Sequence, residues 1–339
     1  MYILEKKKLK QVLSAWTEHF DVYVPQKVES YTQFLPFNAT KPLELGNPHN
    51  TRFPPKAHFL PQSETMLKYN SRLGRFEDLR LTPEPRLLFG ARPCDASAVA
   101  LMDTVFLAED YNDPYWLARR KATVIVGLGC NTPPHTCFCT TVGGSPFNQA
   151  GLDALLTDLG DFFSVQVLTE KAQELFDDLP PATEEQISQV NHVQKKAYES
   201  MAPAFETKGL KHKLDLIFES SYWEKIAESC LGCGVCTFLC PTCFCFDIVD
   251  EGQRQERIRN WDTCMFRIYT QEASGHNPRP SNKERTRQRL MHKYSYWLDH
   301  VGEIGCTGCG RCVRYCPVGL DIRAMLRAAS KQESEVVHA

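Results

Sequence analysis

Two copies of one cysteine spacing dominate the chemistry that this sequence could support. The copies are Cys230, Cys233, Cys236 and Cys240 before Pro241, and Cys306, Cys309, Cys312 and Cys316 before Pro317. In this C-x2-C-x2-C-x3-C-P spacing, three thiolates bind one [4Fe-4S] cluster and the fourth binds the other. The sequence therefore predicts a first cluster on Cys230, Cys233, Cys236 and Cys316, and a second on Cys306, Cys309, Cys312 and Cys240.

Structural zinc and disulfides are the alternatives to these clusters. A tetrahedral zinc site takes four ligands in two separated pairs, so it does not need four closely spaced cysteines and a proline, twice. The 15 cysteines among 339 residues are too dilute for a disulfide scaffold, and an odd number cannot pair fully. We therefore expect clusters in a reducing compartment.

Four further cysteines predict a third cluster in the N-terminal half of the chain. They are Cys94, Cys130, Cys137 and Cys139, each just after a predicted strand or in the loop that follows it. Because the ends of neighbouring parallel strands meet at one sheet edge, these thiols are expected to converge. Four thiolates are what a third [4Fe-4S] cluster needs. Buried free thiols are the alternative, since unmodified cysteine packs as a small hydrophobe.

The remaining cysteines, Cys243, Cys245 and Cys264, have no evident fourth partner. A packing or cluster-shielding role and a role as an alternative ligand both stay open. The basic segment 283–293 is expected to be a solvated helix face, with an anion or an acidic partner as the alternative ligand of that face. No triad, paired carboxylates, dinucleotide fingerprint or Walker sequence is present, so we expect no catalytic residues.

Elements that would position these cysteines follow from the hydrophobic pattern. Short apolar, β-branched runs predict strands at residues 86–90, 122–128 and 162–168. Helices are expected at residues 6–19, 97–105, 152–159 and 184–200. The predicted fold is an α/β or α+β domain over residues 1–210, then an α-helical ferredoxin-type domain with two [4Fe-4S] clusters over 211–330, and a tail at 331–339. No strand is expected in the second domain, and its insert between Cys240 and Cys306 should form helix, loop and helix.

Charge and hydropathy exclude several classes of protein. The formal charge of −2 and pI near 6.6 give no reason to expect nucleic-acid binding. The N-terminus lacks the apolar core of a signal peptide, and the longest apolar run, at residues 123–128, is too short to cross a bilayer. We expect a cytoplasmic chain without direct membrane insertion.

Several longer segments, in order along residues 87–322, carry a family resemblance: FGARPCDASAVALMDTVF, CFCTTVGGSP, CLGCGVCTFLCPTCFCFDI, WDTCMF, SGHNPRP, RQRLMHKY and GCTGCGRCVRYCPV. They resemble the iron–sulfur beta subunit of sulfhydrogenase-type soluble [NiFe] hydrogenases. The arrangement is also similar to the iron–sulfur subunit of anaerobic sulfite reductases, and to an iron–sulfur subunit of flavin oxidoreductases that feed heterodisulfide-reductase-like complexes.

The resemblance implies an electron-transfer subunit of a hetero-oligomer. One partner would carry FAD, NAD(P)H-binding elements and a [2Fe-2S] centre. The other would be the catalytic subunit, with a [NiFe] hydrogenase favoured over a sulfite reductase or a heterodisulfide-reductase-like subunit. Two other classes stay open: an enzyme whose N-terminal centre reduces a substrate with His135 as proton donor, and a regulatory sensor, for which no DNA-binding module is evident.

Overall fold

The computed structural model describes residues 1–46, 49–78, 82–108 and 110–332. The chain forms two compact units. The first comprises Met1–Phe59, Pro83–Pro203 and Thr307–Cys309, and the second comprises Leu60–Thr82, Ala204–Cys306 and the chain from Gly310 on. The boundary near residue 210 stays a prediction, and residues 333–339 of the predicted tail lie outside the described residues.

The strands are numbered along the chain. They are β1 Tyr2–Glu5, β2 Asp21–Val28, β3 Tyr31–Pro36, β4 Ser63–Asn70, β5 Arg75–Asp78, β6 Arg86–Ala91, β7 Leu107–Ala108, β8 Tyr111–Asn112, β9 Thr123–Leu128, β10 Ala154–Asp158, β11 Phe162–Val167, β12 Phe246–Glu251 and β13 Glu256–Trp261.

The helices follow the same numbering. They are α1 Leu9–Trp16, α2 Pro93–Phe106, α3 Pro114–Ala122, α4 Glu170–Gln173, α5 Glu184–Glu199, α6 Leu210–Leu216, α7 Tyr222–Ala227, α8 Val235–Phe238, α9 Asn282–Met291, α10 Trp297–His300, α11 Arg311–Arg314 and α12 Ile322–Ser330. Single 3-10 turns lie at Lys6–Lys8, Pro55–His58, Cys139–Val142 and Arg267–Thr270, and a π-helical turn at His292–Tyr296 joins α9 to α10. Among the described residues, no helix is long and apolar enough to cross a membrane.

The first unit is built on a seven-stranded sheet in the order β1-β11-β10-β9-β6-β2-β3. Its central strands β10, β9, β6 and β2 run parallel, and the outer pairs are antiparallel. Every residue of β9 is buried, as expected for the central strand of a parallel sheet. Trp16 on α1 packs against Phe89 on β6 and Phe176 in the core. The strands predicted at 86–90, 122–128 and 162–168 are confirmed.

The helix predicted over residues 152–159 is wrong, because β10 occupies Ala154–Asp158. This strand pairs parallel with β9 and antiparallel with β11, and its first four residues are buried. A strand buried on both faces loses the alternation that identifies strands, so its apolar run is indistinguishable from a short buried helix. The other three predicted helices are confirmed, with α2 beginning earlier than expected, at Pro93.

The second unit is mixed rather than purely helical, so the expectation that it has no strand is wrong. Its antiparallel sheet has the order β12-β13-β4-β5, and the β12–β13 hairpin lies inside the insert between Cys240 and Cys306. Many charged residues in FDIVDE and ERIRNW hide the strand pattern. The β13 strand is held by distant β4, where the buried side chains of Arg259 and Glu64 hydrogen-bond at 2.8 Å. The later part of the insert is helical, as predicted, with α9 opened by a Ser281–Glu284 capping box.

Candidate iron–sulfur centres

The two cysteine motifs adopt the same backbone turn. Gly234 precedes α8 with φ 75° and ψ −5°, and Gly310 precedes α11 with φ 73° and ψ −3°. These left-handed conformations favour glycine, because a Cβ atom would be strained there. The repeated spacing in the sequence therefore corresponds to a repeated local fold, which is what two equivalent chelating loops require.

The four predicted ligands of the first cluster line one cavity in the second unit. Cys230, Cys233, Cys236 and Cys316 surround an open space of about 570 Å³. A fifth cysteine, Cys312 of the second predicted set, also lines this cavity. The rest of the lining is mainly apolar and includes Leu231, Val235, Met265, Leu290, Val318, Ile322 and Met325. Cys233 is exposed, so one edge of the cavity reaches the surface. The last cysteine of the second motif thus meets the first three of the other motif, as the exchange of fourth ligands requires.

Backbone donors approach two of these sulfurs. Gly232 N–H donates to Cys230 Sγ at 3.4 Å, and Leu320 N–H donates to Cys316 Sγ at 3.3 Å. Such hydrogen bonds stabilise thiolate charge and tune the potential of a cluster. Four thiols, backbone donors and an apolar wall together fit a [4Fe-4S] group.

Three predicted ligands of the second cluster, Cys240, Cys306 and Cys312, are also in the second unit, whereas Cys309 belongs to the first. Burial raises the pKa of Cys312 to about 12, with further contributions from the charges of Cys306 and Cys240. The Cys243 thiol donates to Cys240 and lowers the pKa of Cys240. Closely spaced buried thiols of this kind are costly to ionise unless a cation or an iron centre compensates them.

Two buried cations lie beside these thiols. Arg289, at the end of α9, donates to the Cys236 carbonyl oxygen at 3.1 Å. Lys293, in the π-helical turn, donates from Nζ to Thr242 Oγ1 at 2.8 Å and to the Gly305 carbonyl oxygen at 2.9 Å. The expectation of a solvated face over residues 283–293 is wrong for these two residues and for Arg285, all of which are buried.

The third candidate centre lies at the carboxyl edge of the parallel strands in the first unit. β6 ends at Ala91, and Cys94 sits in the first turn of α2. β9 pairs parallel with β6 and ends at Leu128, two residues before Cys130. Arg92 donates to the carbonyl oxygens of Leu128 and Gly129, at 3.3 and 2.8 Å, and so ties the two strand ends together.

Contacts bring the other two cysteines to the same edge. Burial, together with the nearby charges of Cys130 and Cys137, raises the pKa of Cys139 to about 12. Asn50 Nδ2 lies 3.9 Å from Cys94 Sγ and donates to the Cys309 carbonyl oxygen at 2.9 Å. Cys137 Sγ lies 3.6 Å from that same oxygen. Cys130 and Cys137 thus lie close enough to Cys139 for their charges to act on it, and the buried Asn50 amide connects Cys94 to the carbonyl oxygen that Cys137 approaches. Four thiols at one edge of the sheet are a donor set that suits an iron–sulfur cluster.

The three unassigned cysteines do not form a group of their own. Cys243 hydrogen-bonds to Cys240, whereas Cys245 and Cys264 pair at the open end of the β12–β13 hairpin. The hydrogen bond from Cys264 lowers the pKa of Cys245 to about 6. Within the described chain, no three His, Cys, Asp or Glu side chains lie close enough together to bind one single metal ion. A [4Fe-4S] cluster differs from such a site because each of its four thiolates binds a different iron.

Sequence reasoning missed Asn50, Arg289 and Lys293. The basic segment 283–293 did contain the two cations, but its charge pattern gave no sign of which members are buried. Nothing in the sequence near Asn50 distinguishes it from other loop asparagines.

Comparison with known proteins places this arrangement in a family. A family model described as a 4Fe-4S dicluster domain matches residues 229–320. The sulfhydrogenase 2 subunit beta of Pyrococcus furiosus is 33% identical over 311 residues, which cover 88% of this chain and 89% of that protein. The chain belongs to the sulfhydrogenase beta-subunit family. No solved structure matches it.

Membership of the sulfhydrogenase beta-subunit family confirms the resemblance drawn from the sequence. The dicluster match contains all eight cysteines of the two motifs together with Cys243, Cys245 and Cys264. The third group, from Cys94 to Cys139, lies outside the matched residues. The chain is thus an iron–sulfur protein of the electron-transport class with a dicluster domain.

Proposed function

We propose that this chain is a non-catalytic subunit that relays single electrons within a sulfhydrogenase-type complex. It would exchange electrons with two partner subunits. One would bind flavin and NAD(P)H and carry a [2Fe-2S] centre, and the other would be a [NiFe] hydrogenase subunit. The observation that carries the proposal is the cavity lined by Cys230, Cys233, Cys236 and Cys316. Its donor set is suited to a group that takes up one electron at a time.

The proposed ligand sets connect the two motifs of the dicluster domain. Cys240 and Cys316 would each extend from one motif to the cluster of the other. A third centre on Cys94, Cys130, Cys137 and Cys139 would adjoin a ligand of the second cluster, because Cys137 Sγ lies 3.6 Å from the Cys309 carbonyl oxygen.

Protein groups would hold and insulate these centres. The [4Fe-4S] clusters supply one-electron redox chemistry when bound. Around the first site, Gly232 and Leu320 aim N–H donors at sulfur, and the apolar wall limits access of water. The exposed edge at Cys233 and Leu231 is where a redox partner would come closest to the first centre.

The ligand assignment is tested by replacing one cysteine of each motif. Cys233→Ser and Cys309→Ser should each lose one cluster, seen as a loss of about four irons per chain and a changed EPR spectrum of the reduced protein. Full iron content and an unchanged spectrum in both variants would disprove the assignment. In the native protein, about twelve irons per chain would support the third cluster and about eight would exclude it.

Partners are tested by purifying the native complex anaerobically and identifying its components by mass spectrometry. We expect a flavin-binding subunit together with a large subunit that carries the nickel site. Finding a sirohaem protein or a heterodisulfide-reductase-like protein in place of the nickel protein would contradict the hydrogenase assignment and indicate the corresponding alternative complex. Fifteen cysteines, most of them proposed as cluster ligands, fit a reducing compartment, so we propose a cytoplasmic location.

A further inference from the structure

Arg289 and Lys293 are buried cations without a carboxylate partner in the part of the chain that the structure describes. They lie four residues apart on the segment that runs from α9 into the π-helical turn, and only 6% and 3% of their surfaces are exposed. Within the described residues, neither forms a salt bridge with Asp or Glu. A buried charge is costly unless an opposite charge compensates it. We therefore expect an anionic group close to these two side chains.

The surroundings of Lys293 show where that anion would be. Its ammonium donates to Thr242 Oγ1 at 2.8 Å, and the Thr242 hydroxyl lies 3.3 Å from Cys240 Sγ. The other acceptor, the Gly305 carbonyl oxygen at 2.9 Å, directly precedes Cys306 in the chain. The Thr242 hydroxyl group thus lies between Lys293 and Cys240, and Lys293 also contacts the residue that precedes Cys306. Both cysteines are proposed ligands of the second cluster.

Arg289 occupies a corresponding position beside the first centre. This residue lines the cavity that holds the four thiols of the first set and Cys312 of the second, and its guanidinium donates to the Cys236 carbonyl oxygen at 3.1 Å. Its Nε atom is buried with no hydrogen-bond partner. This side chain therefore presents positive charge toward the thiols without being neutralised by its own contacts.

The local backbone helps to hold both side chains in place. The π-helical turn His292–Tyr296 is an irregular helical turn of a kind that frequently occurs at functional sites. Lys293, Tyr294 and Ser295 within it are all buried. Ser295 Oγ donates to Asp215 Oδ1 at 2.6 Å, which anchors the turn to α6.

We propose that Arg289 and Lys293 are positioning charges that set the reduction potentials of the two dicluster centres, Lys293 acting on the second and Arg289 mainly on the first. The proposal rests on the proposed relay function. Reduction adds one electron, and hence one negative charge, to a cluster. A fixed cation nearby favours that state and raises the potential, so removal of the cation lowers it.

The decisive experiment is an EPR-monitored redox titration of the intact complex carrying Lys293→Met. At the wild-type midpoint potential of the second cluster, the ratio of reduced to oxidised centre should fall about tenfold, which corresponds to a midpoint about 59 mV lower. Lys293→Arg retains the charge and should change the ratio less than twofold. The control Lys283→Met removes a lysine of α9 that pairs with Glu224 at the surface, and should leave the ratio unchanged.

Three results would overturn the proposal. The first is an unchanged midpoint in Lys293→Met, and the second is an equal shift in Lys293→Arg. The third is loss of the second cluster in Lys293→Met but not in Lys293→Arg, because the cation would then serve assembly rather than the potential. Arg289→Met, titrated in parallel, should lower the midpoint of the first cluster. Failure of the relay function is seen separately, as wild-type clusters that the flavin-binding partner cannot reduce, and it would not alter these midpoint comparisons.

Discussion

Gly308 and Gly232 occupy equivalent positions of the two motifs and offer a matched pair of substitutions. Their φ angles are 64° and 65°, so an alanine at either position bears the same left-handed strain, about 1–3 kcal/mol. Their surroundings differ. A Cβ on Gly308 would lie 2.5 Å from Phe138 C and from Cys139 N, whereas the nearest atom to a Cβ on Gly232 would be a side-chain atom, Asn282 Oδ1, at 3.1 Å.

Gly308→Ala should therefore cost more than Gly232→Ala. Overlap with backbone atoms adds about 1–3 kcal/mol, since the chain at Phe138 and Cys139 must move. The Phe138 N–H also donates to the Gly308 carbonyl oxygen at 2.8 Å, which ties the two segments together. An excess of about 2 kcal/mol corresponds to a melting temperature roughly 4–8 °C lower for a cooperative unit of this size.

The assay is anaerobic thermal unfolding of both variants at one scan rate, followed by circular dichroism, with iron counted before the scan. Because Cys139 lies at the contact, Gly308→Ala should also alter the EPR signal of the third centre, and Gly232→Ala should not. Equal losses of melting temperature in the two variants would refute the reasoning, since only the shared φ strain would then matter.

Further predictions concern ligand exchange, a buried ion pair and pH. The double variant Cys233→Ser/Cys316→Ser should lose no more iron than either single variant, because both residues are proposed ligands of the first cluster. The double variant Cys309→Ser/Cys316→Ser should lose about twice as much iron, because it affects both clusters. Additive iron loss in the first double variant would rule out exchanged fourth ligands. Glu64→Gln leaves the buried guanidinium of β13 without its carboxylate and should cost about 3–5 kcal/mol in denaturant unfolding, and a loss below 1 kcal/mol would contradict this. Burial lowers the pKa of His58 to about 4, so the unfolded chain binds the proton more tightly and stability falls as the pH drops from 6.5 toward 4. Between pH 7 and 5 this loss is about 2 kcal/mol, and unfolding of His58→Phe at both values should lack it.

Local patterns in the sequence determined the parts of the site that local chemistry controls. Four cysteines within eleven residues can chelate only with a narrow set of turns, so the motifs at Cys230 and Cys306 predicted their own geometry. The sequence also predicted the buried strands β6 and β9, because short continuous runs of apolar and β-branched residues are typical of buried strands. Their parallel pairing then placed Cys94 and Cys130 at a shared edge.

Tertiary structure decided what depends on residues far apart in the chain. The β12–β13 hairpin is stabilised by β4, nearly two hundred positions away, and its own sequence is too charged to show it. Burial of Lys293 and Arg289 follows from the packing of the helix that carries them, since a basic helix has the same sequence whether its face meets water or a cluster. Tertiary packing likewise brings Asn50 next to Cys94. Chelating residues that follow one another closely in the chain can be recognised from the sequence, whereas burial and long-range pairing exist only after the chain has folded.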